Sequence, residues 1–121
     1  MDDTIIFPDF AEVKRVLDNL RVGVIIEVLP HPDPKATRSY AVKIDFGAEI
    51  GVKTSSMQAR REYPPEELVG MQVVGLIGLA PREVRGVTSE VLLVGVQTDD
   101  PDKPLSLLTP SRPAKIGSSA Y

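Results

Sequence analysis

The hydrophobic pattern of the chain changes from a helical to a strand-like period near residue 20. Upstream of that point the apolar side chains recur at helical spacing: Phe10, Val13, Leu17 and Leu20. Asp9 followed three residues later by Glu12 has the form of a capping box. The pattern predicts an amphipathic helix over residues 10–19. Its apolar stripe must be covered, either by the body of the same chain or by a second subunit, and the sequence leaves both open.

From Arg21 the period is two, which is typical of β-strands. The first strand, RVGVIIEV, is predicted to have an apolar face made of Val22, Val24, Ile26 and Val28. The second strand follows the proline-rich loop PHPDPKATR, and its predicted inward side chains are Tyr40, Val42, Ile44 and Phe46. Gly47-Ala48 is a candidate tight hairpin, because glycine supplies a positive φ at its first central position. The third strand is then predicted to direct Ile50 and Val52 inward.

The second half of the chain adds two more strands and a short helical insertion. YPPEELVG predicts a single helical turn, with Pro65 at its start and Gly70 as its stop. MQVVGLIGLA is a fourth strand, in which Gly75 and Gly78 permit sharp bending. APREVRGVTS is a connection with Gly86 as its turn residue, and residues 89–96 form the fifth strand.

Five short strands with a helical insertion between the third and fourth predict an all-β fold, a five-stranded Greek-key barrel of the OB type. A short N-terminal helix precedes this barrel. We expect residues 1–121 to form a single domain, with a helical extension over 1–20 and a C-terminal extension over 99–121. A length of 121 residues allows one modest hydrophobic core.

Composition argues against most catalytic and metal chemistry. The chain has no cysteine and one histidine, His31, so neither a cysteine or multi-histidine metal site nor a histidine-paired nucleophile network can be built. The glycines form neither a phosphate loop nor a dinucleotide fingerprint. We therefore expect no enzyme activity, catalytic residue, metal or cofactor. The acidic start and the lack of a long apolar run predict a cytoplasmic protein without a membrane partner.

Charge is distributed unevenly along the chain. Residues 35–61 contain six basic and two acidic residues, a local net charge of +4, which leaves −7 for the remainder because the whole chain carries −3. Such a separation creates a local positive field on an acidic body, or merely solvates loops.

The positive segment includes the strands that OB barrels use to bind oligonucleotides. Lysine, arginine and serine side chains are the groups expected to contact phosphate and ribose. The candidates here are Lys43, Lys53, Ser55, Ser56, Arg60 and Arg61, and Arg82 and Arg85 could extend the patch. Aromatic residues are scarce, and Tyr63 is the one obvious stacking candidate. Recognition of folded RNA by backbone and shape is therefore favoured over base stacking.

RVGVIIEV, KIDFGAEIGVKTSS, YPPEELVG and APREVRGVTSEVLLVG occur in an order that resembles the stand-alone tRNA-binding domain family, and most closely its CsaA-type members. The resemblance covers nearly the whole chain from residue 10. It implies an OB barrel that forms a homodimer and binds tRNA. By position it also implies functional roles for Lys53, Ser55, Ser56, Arg82, Arg85, Ser89 and Glu90. For Glu90 we favour a structural role, as a clamp for a nearby arginine.

The resemblance implies a second possible function. CsaA-type proteins are described as export-related chaperones, so the partner could be an unfolded or export-destined polypeptide. The apolar stripe of the N-terminal helix and the leucine-rich fourth strand would then form an apolar groove at the dimer interface. Salt-sensitive binding of tRNA and salt-insensitive binding of polypeptides distinguish the two hypotheses.

Overall fold

The computed structural model describes residues 9–121, so residues 1–8 of the predicted N-terminal extension lie outside the described part. Helix α1 spans Phe10–Asn19, as the sequence predicts. The Asp9 carboxylate caps it by accepting the Glu12 N–H at 2.9 Å. A second, four-residue helix, α2, spans Pro65–Leu68 and confirms the predicted helical turn.

The strands in chain order are β1 (Leu20–Pro30), β2 (Tyr40–Asp45), β3 (Val52–Met57), β4 (Gln72–Leu76), β5 (Arg82–Val84), β6 (Val87–Ser89), β7 (Leu92–Leu93), β8 (Gly95–Gln97) and β9 (Leu105–Leu107). Five of them form one antiparallel sheet in the order β3-β2-β1-β4-β7. This sheet curls until residue 90 meets β3, where the Glu90 N–H donates to the Thr54 carbonyl oxygen at 2.8 Å. The predicted fold, a nearly closed five-stranded barrel with short helices, is confirmed.

The core is built on the inward face of β2. Val42 and Ile44 are fully buried, Phe46 just beyond the strand is 1% exposed, and Tyr40 is 5% exposed. They pack with Ile25, Leu68, Val73, Val91 and Leu107. The alternation predicted for the second strand is therefore confirmed.

The predicted face of β1 is wrong over its first half. Gly23 and Ile25 point into the barrel, and Ile26 is 45% exposed. The register with β2 explains the difference. Ile25 pairs with Ile44, whereas Glu27, two residues later in β1, pairs with Lys43, which is only one residue away from Ile44 in β2. Ile26 is the extra residue of a β-bulge, which reverses the inward parity so that Val28 packs against the core.

The prediction for the third strand also needs correction. Val52 is half exposed, and the inward positions of β3 are Ser55 and Met57. Ile50 lies before the strand and packs partly against the core. The connection is a loop over residues 46–51 rather than a two-residue hairpin, with a positive φ at Gly47 as expected and a second one at Gly51.

The predicted fifth strand is broken into separate pieces. Residues 87–89 pair back onto β5 as a small hairpin, so the connection predicted around Gly86 is itself a two-stranded sheet. β7 then pairs with β4, and β8 pairs with β9 in the C-terminal extension.

The C-terminal segment is attached to the barrel beside the first half of β1. The Val22 N–H donates to the Ser118 carbonyl, and the Gly117 N–H donates to the Val22 carbonyl. The side-chain amide of Gln72 on β4 exchanges two hydrogen bonds of 2.8 Å with the backbone of Ala114. This segment occupies the part of β1 that β2 leaves unpaired.

Candidate nucleic-acid interface

A polar groove of about 380 Å³ opens between the loop over residues 31–39, the end of β3 and the β5–β6 hairpin. Its charged and polar lining includes Lys35, Arg38, Ser56, Gln58 and Arg85, and these five residues define what we call the basic groove. Lys35, Arg38 and Arg85 are exposed at its surface, whereas Ser56 is partly buried. Cations from two separate chain segments therefore converge on one concave surface.

The loop that carries Lys35 and Arg38 is held by hydrogen bonds among its own residues. The Lys35 N–H donates to the Asp33 carboxylate at 2.9 Å, which forms an Asx turn. The Ala36 N–H donates to the Asp33 carbonyl at 3.0 Å, and the Ser39 N–H to the Ala36 carbonyl at 3.2 Å. These bonds fix the path of a segment whose prolines, Pro32 and Pro34, exclude a regular strand.

Arg85 projects from the tip of the opposing hairpin. Arg85 and Gly86 both have a positive φ, +50° and +94°, as the two central residues of a type I′ turn require. Arg85 is the one non-glycine residue with a positive φ among residues 9–121. Its guanidinium lies 3.9 Å from the Asp33 carboxylate across the groove.

The structure brings some of the predicted site residues to this groove. Ser56 and Arg85 line it directly. Arg60 lies at its border, because its N–H donates to the Arg38 carbonyl at 3.1 Å. The Arg60 guanidinium carbon is also 5.7 Å from the centre of the Tyr40 ring, within cation–π range. Arg61 is the next residue and is exposed.

Other predicted residues lie elsewhere on the barrel. Lys53 and Ser55 pair with Ile44 and Val42, which places them on the inward side of β3. Ser55 is only 3% exposed, so its hydroxyl is not displayed on the outer surface. Lys43 is exposed on β2 but forms an ion pair of 3.3 Å with Glu27.

Arg82 and Ser89 face each other at the base of the β5–β6 hairpin. Arg82 is exposed, whereas the Ser89 hydroxyl donates to the Val91 carbonyl at 3.4 Å. Glu90 has the expected structural position, but its partner is not an arginine. Its carboxylate accepts the Thr54 N–H at 3.2 Å and so reinforces the closure of the barrel.

Tyr63 does not provide a free stacking surface. Its hydroxyl accepts the Leu107 N–H at 3.1 Å, and its carbonyl accepts the Tyr40 hydroxyl at 2.8 Å. The ring is partly buried against the core. Tyr63 therefore connects the C-terminal extension to the barrel.

Three groove residues were missed as individual candidates: Lys35, Arg38 and Gln58. The signal for the first two was already present in the local charge of residues 35–61. His31 was interpreted as a plain loop residue, but it is buried and bonded to both sides of the groove. Nothing in the sequence pattern marks Gln58.

A second, apolar groove of about 650 Å³ lies between α1 and the end of β4. Val13, Val16 and Leu17 line one side, and Leu76, Ile77 and Leu79 line the other. The body of the same chain covers the apolar stripe of α1 only in part. Val13 and Leu17 are partly buried, whereas Phe10 is 75% exposed and no residue of the helix is fully buried.

Within residues 9–121 no helix is long and apolar enough to cross a membrane. The same residues contain no group of three or more histidine or acidic side chains that could hold a metal ion.

Comparison with known proteins identifies close relatives. The chain is 38% identical over 112 residues to the methionine–tRNA ligase of Thermococcus kodakarensis and 36% identical over 112 residues to that of Pyrococcus furiosus. The match covers 93% of this chain but 14% of each ligase, so the chain corresponds to a small part of those enzymes.

Among solved structures, the chaperone CsaA of Picrophilus torridus superposes with a TM-score of 0.80 at 29% identity, covering 95% of this chain and all of the other. CsaA of Bacillus anthracis gives a TM-score of 0.76, also at 29% identity, over 96% of this chain and all of the other. Residues 20–119 match the family model described as "Putative tRNA binding domain". The chain therefore belongs to the tRNA-binding domain family.

Proposed function

We propose that this protein binds folded tRNA by its backbone and shape, with the basic groove as the centre of the contact surface. The observation that carries this proposal is the convergence of Lys35, Arg38 and Arg85 on one polar concavity. Phosphate oxygens are the ligands that such cations and the adjacent Ser56 hydroxyl would bind. Within residues 9–121, neither Lys35 nor Arg38 forms an ion pair, so both are available to neutralise phosphates.

The chemistry of the groove favours the RNA backbone over the bases. Its lining is cationic and polar, and the tyrosine best placed in sequence for stacking is engaged by the C-terminal extension. Double-stranded RNA is recognised largely through shape and through contacts to phosphates and 2′-hydroxyls. We therefore expect little discrimination among tRNAs.

The surroundings of the groove extend the proposed surface. Arg60 and Arg61 continue it at the turn after β3, and Arg82 continues it along the hairpin. Lys43, Lys53 and Ser89 lie apart from the groove and remain peripheral candidates, whereas the burial of Ser55 argues against a contact of its hydroxyl with RNA. Their contribution is expected to be smaller than that of Arg85.

A titration of tRNA tests the proposal. The wild type is compared with the double variant Lys35→Gln/Arg38→Gln at about 50 and 200 mM salt. The variant should bind all tRNAs more weakly, and the slope of log K against log salt should decrease by about 0.7–0.9 per lost phosphate contact. The matched control is Lys103→Gln/Arg112→Gln, which removes the same charge from exposed positions in the C-terminal extension. Equal slopes for both double variants would refute a role for the groove.

The apolar groove beside α1 supports the second candidate function, binding of unfolded or export-destined polypeptides, and also homodimer formation. Exposed apolar surfaces of this kind mark interaction sites. The same groove can be covered by a second copy of the chain or by a polypeptide client. We propose the homodimer as its resident partner, with client binding as the alternative.

The substitution Val16→Glu separates these two occupants, because it places a charge in the middle of the exposed stripe, where Val16 is 54% exposed. Light scattering reports the mass, and an aggregation assay with an unfolded client reports protection. A dimer that becomes monomeric supports the subunit interface. A dimer that persists but loses its protection of the client supports the chaperone function. Ala11→Glu is the charge control, because it adds the same charge to the same helix at an exposed position that does not line the groove.

A further inference from the structure

We propose that His31 is a positioning residue that fixes the Arg85 hairpin against the loop carrying Lys35 and Arg38, and so maintains the shape of the basic groove. This inference rests on the proposed function for its consequence in tRNA binding. The hydrogen-bonded connection that His31 makes between two separate chain segments can be tested without any ligand.

His31 is 6% exposed and lies at the base of the groove. Its Nδ1 accepts the N–H of Asp33 at 3.1 Å, within its own loop. Its Nε2 lies 3.2 Å from the carbonyl oxygen of Val84, on the opposing hairpin. The imidazole therefore spans the gap between the two walls.

The first contact determines the tautomer. A backbone N–H can only donate, so Nδ1 must be the unprotonated nitrogen. The neutral ring then has its proton on Nε2, which is the nitrogen that faces the Val84 carbonyl. Both nitrogens of one neutral ring are thus satisfied, one by each wall of the groove.

The position of Val84 connects this bond to the proposed function. Val84 immediately precedes Arg85, and it pairs with Val87 at the last step of the two-stranded hairpin. The β5–β6 sheet has two strands only, and such a hairpin is weak in isolation. A bond from a buried side chain to residue 84 therefore restrains the tip from which Arg85 projects.

Two substitutions separate the two bonds of His31. In His31→Asn, the side-chain oxygen can replace Nδ1 and accept the Asp33 N–H as an Asx turn, but the side chain is too short to reach Val84. In His31→Gln, the amide nitrogen reaches the position of Nε2 and can donate to the Val84 carbonyl, but the Asp33 contact is lost. The pair thus compares the connection across the groove with the turn inside the loop.

Amide hydrogen exchange of residues 82–89 and tRNA affinity at low salt are measured for both variants, with thermal unfolding as the check on folding. We expect His31→Asn to accelerate exchange in the hairpin and to weaken tRNA binding about three- to tenfold, the effect of one lost hydrogen bond. His31→Gln should remain within about twofold of the wild type in both measurements. If the two variants behave alike, or if Asn matches the wild type, the positioning role is refuted. If wild type itself binds no tRNA, the proposed function fails, and the exchange data alone decide the role of His31.

Discussion

Replacing Arg85 with Asn should weaken tRNA binding while it leaves the stability of the protein nearly unchanged. Arg85 has a φ of +50°, a region that costs an ordinary L-residue about 1–2 kcal/mol. Asparagine tolerates this conformation better and, before glycine, is the preferred first residue of a type I′ turn. The substitution therefore removes the cation while favouring the turn that presents it.

The expected stability follows from two terms of similar size. The ion pair with Asp33 is long, at 3.9 Å, and the two side chains are 61% and 27% exposed. Such an exposed pair contributes about 0–1 kcal/mol to stability. The relief of backbone strain in the turn is worth up to about 1 kcal/mol. The free energy of unfolding should therefore stay within about 1 kcal/mol of the wild type.

The expected loss of binding is larger. A charge-assisted hydrogen bond contributes about 1.5–3 kcal/mol, and exposure of Arg85 favours the lower end, so tRNA affinity should fall about tenfold. The slope of log K against log salt should decrease by about 0.7–0.9. Arg112→Asn, an exposed cation of the C-terminal extension, is the charge-matched control.

Urea unfolding and tRNA titration measure the two quantities on the same preparations. An affinity and a salt slope equal to those of Arg112→Asn would refute the assignment of Arg85 to the RNA surface. A loss of more than about 2 kcal/mol in stability would refute the argument from the turn, since it would show that Arg85 supports the fold through other contacts.

Two further predictions concern the barrel, and urea unfolding measures both. Gly23→Ala should destabilise the protein by about 1–3 kcal/mol, because an added Cβ would lie 2.5 Å from Ile44 and 2.8 Å from Phe46 in the core. A stability equal to that of the wild type would show that these side chains can shift to accommodate the added methyl group. Glu90→Ala should cost about 1 kcal/mol by removing the acceptor for the Thr54 N–H, whereas Glu90→Gln retains an acceptor oxygen and should cost less. Equal losses for the two Glu90 variants would assign the effect to charge instead.

The sequence predicts the barrel well where one face of a strand is polar. β2 alternates strictly, and its inward residues are those of the core. β1 carries two adjacent isoleucines at its centre, so alternation alone cannot choose between Ile25 and Ile26 as the inward residue. The bulge then changes parity within the strand, and a bulge is set by the pairing with β2 rather than by the local sequence.

The candidate site was predicted as a region rather than as a set of contacts. Local charge identified residues 35–61, but convergence on a groove depends on the fold of the loop over residues 31–39 and on the hairpin that faces it. Arg85 is 50 residues from Lys35 along the chain, and only the tertiary structure brings them to one surface. The pairing register of β3 with β2 places the Ser55 side chain on the inward face of the strand, and the polarity of serine alone does not indicate this position.

The net charge of −3 would oppose tRNA binding only if charges far from the basic groove contributed strongly to the electrostatic potential there. At physiological salt, charges separated by more than about 8 Å are largely screened, so the charges around the groove should dominate. Asp33 is the carboxylate that tests this reasoning. One of its oxygens accepts the Lys35 N–H, and the other lies opposite Arg85, where it competes with a phosphate.

Asp33→Asn keeps an oxygen for the Lys35 N–H while it removes the charge opposite Arg85. Affinity for tRNA should rise by up to about fivefold, the equivalent of an exposed ion pair. Asp100→Asn is the matched control, because the Asp100 carboxylate accepts the N–H of Asp102 at 2.9 Å in the same kind of turn within the C-terminal extension. Both variants change the net charge equally. A rise confined to Asp33→Asn would show that the local field controls binding, whereas equal rises would show that the net charge does, and would contradict a discrete groove.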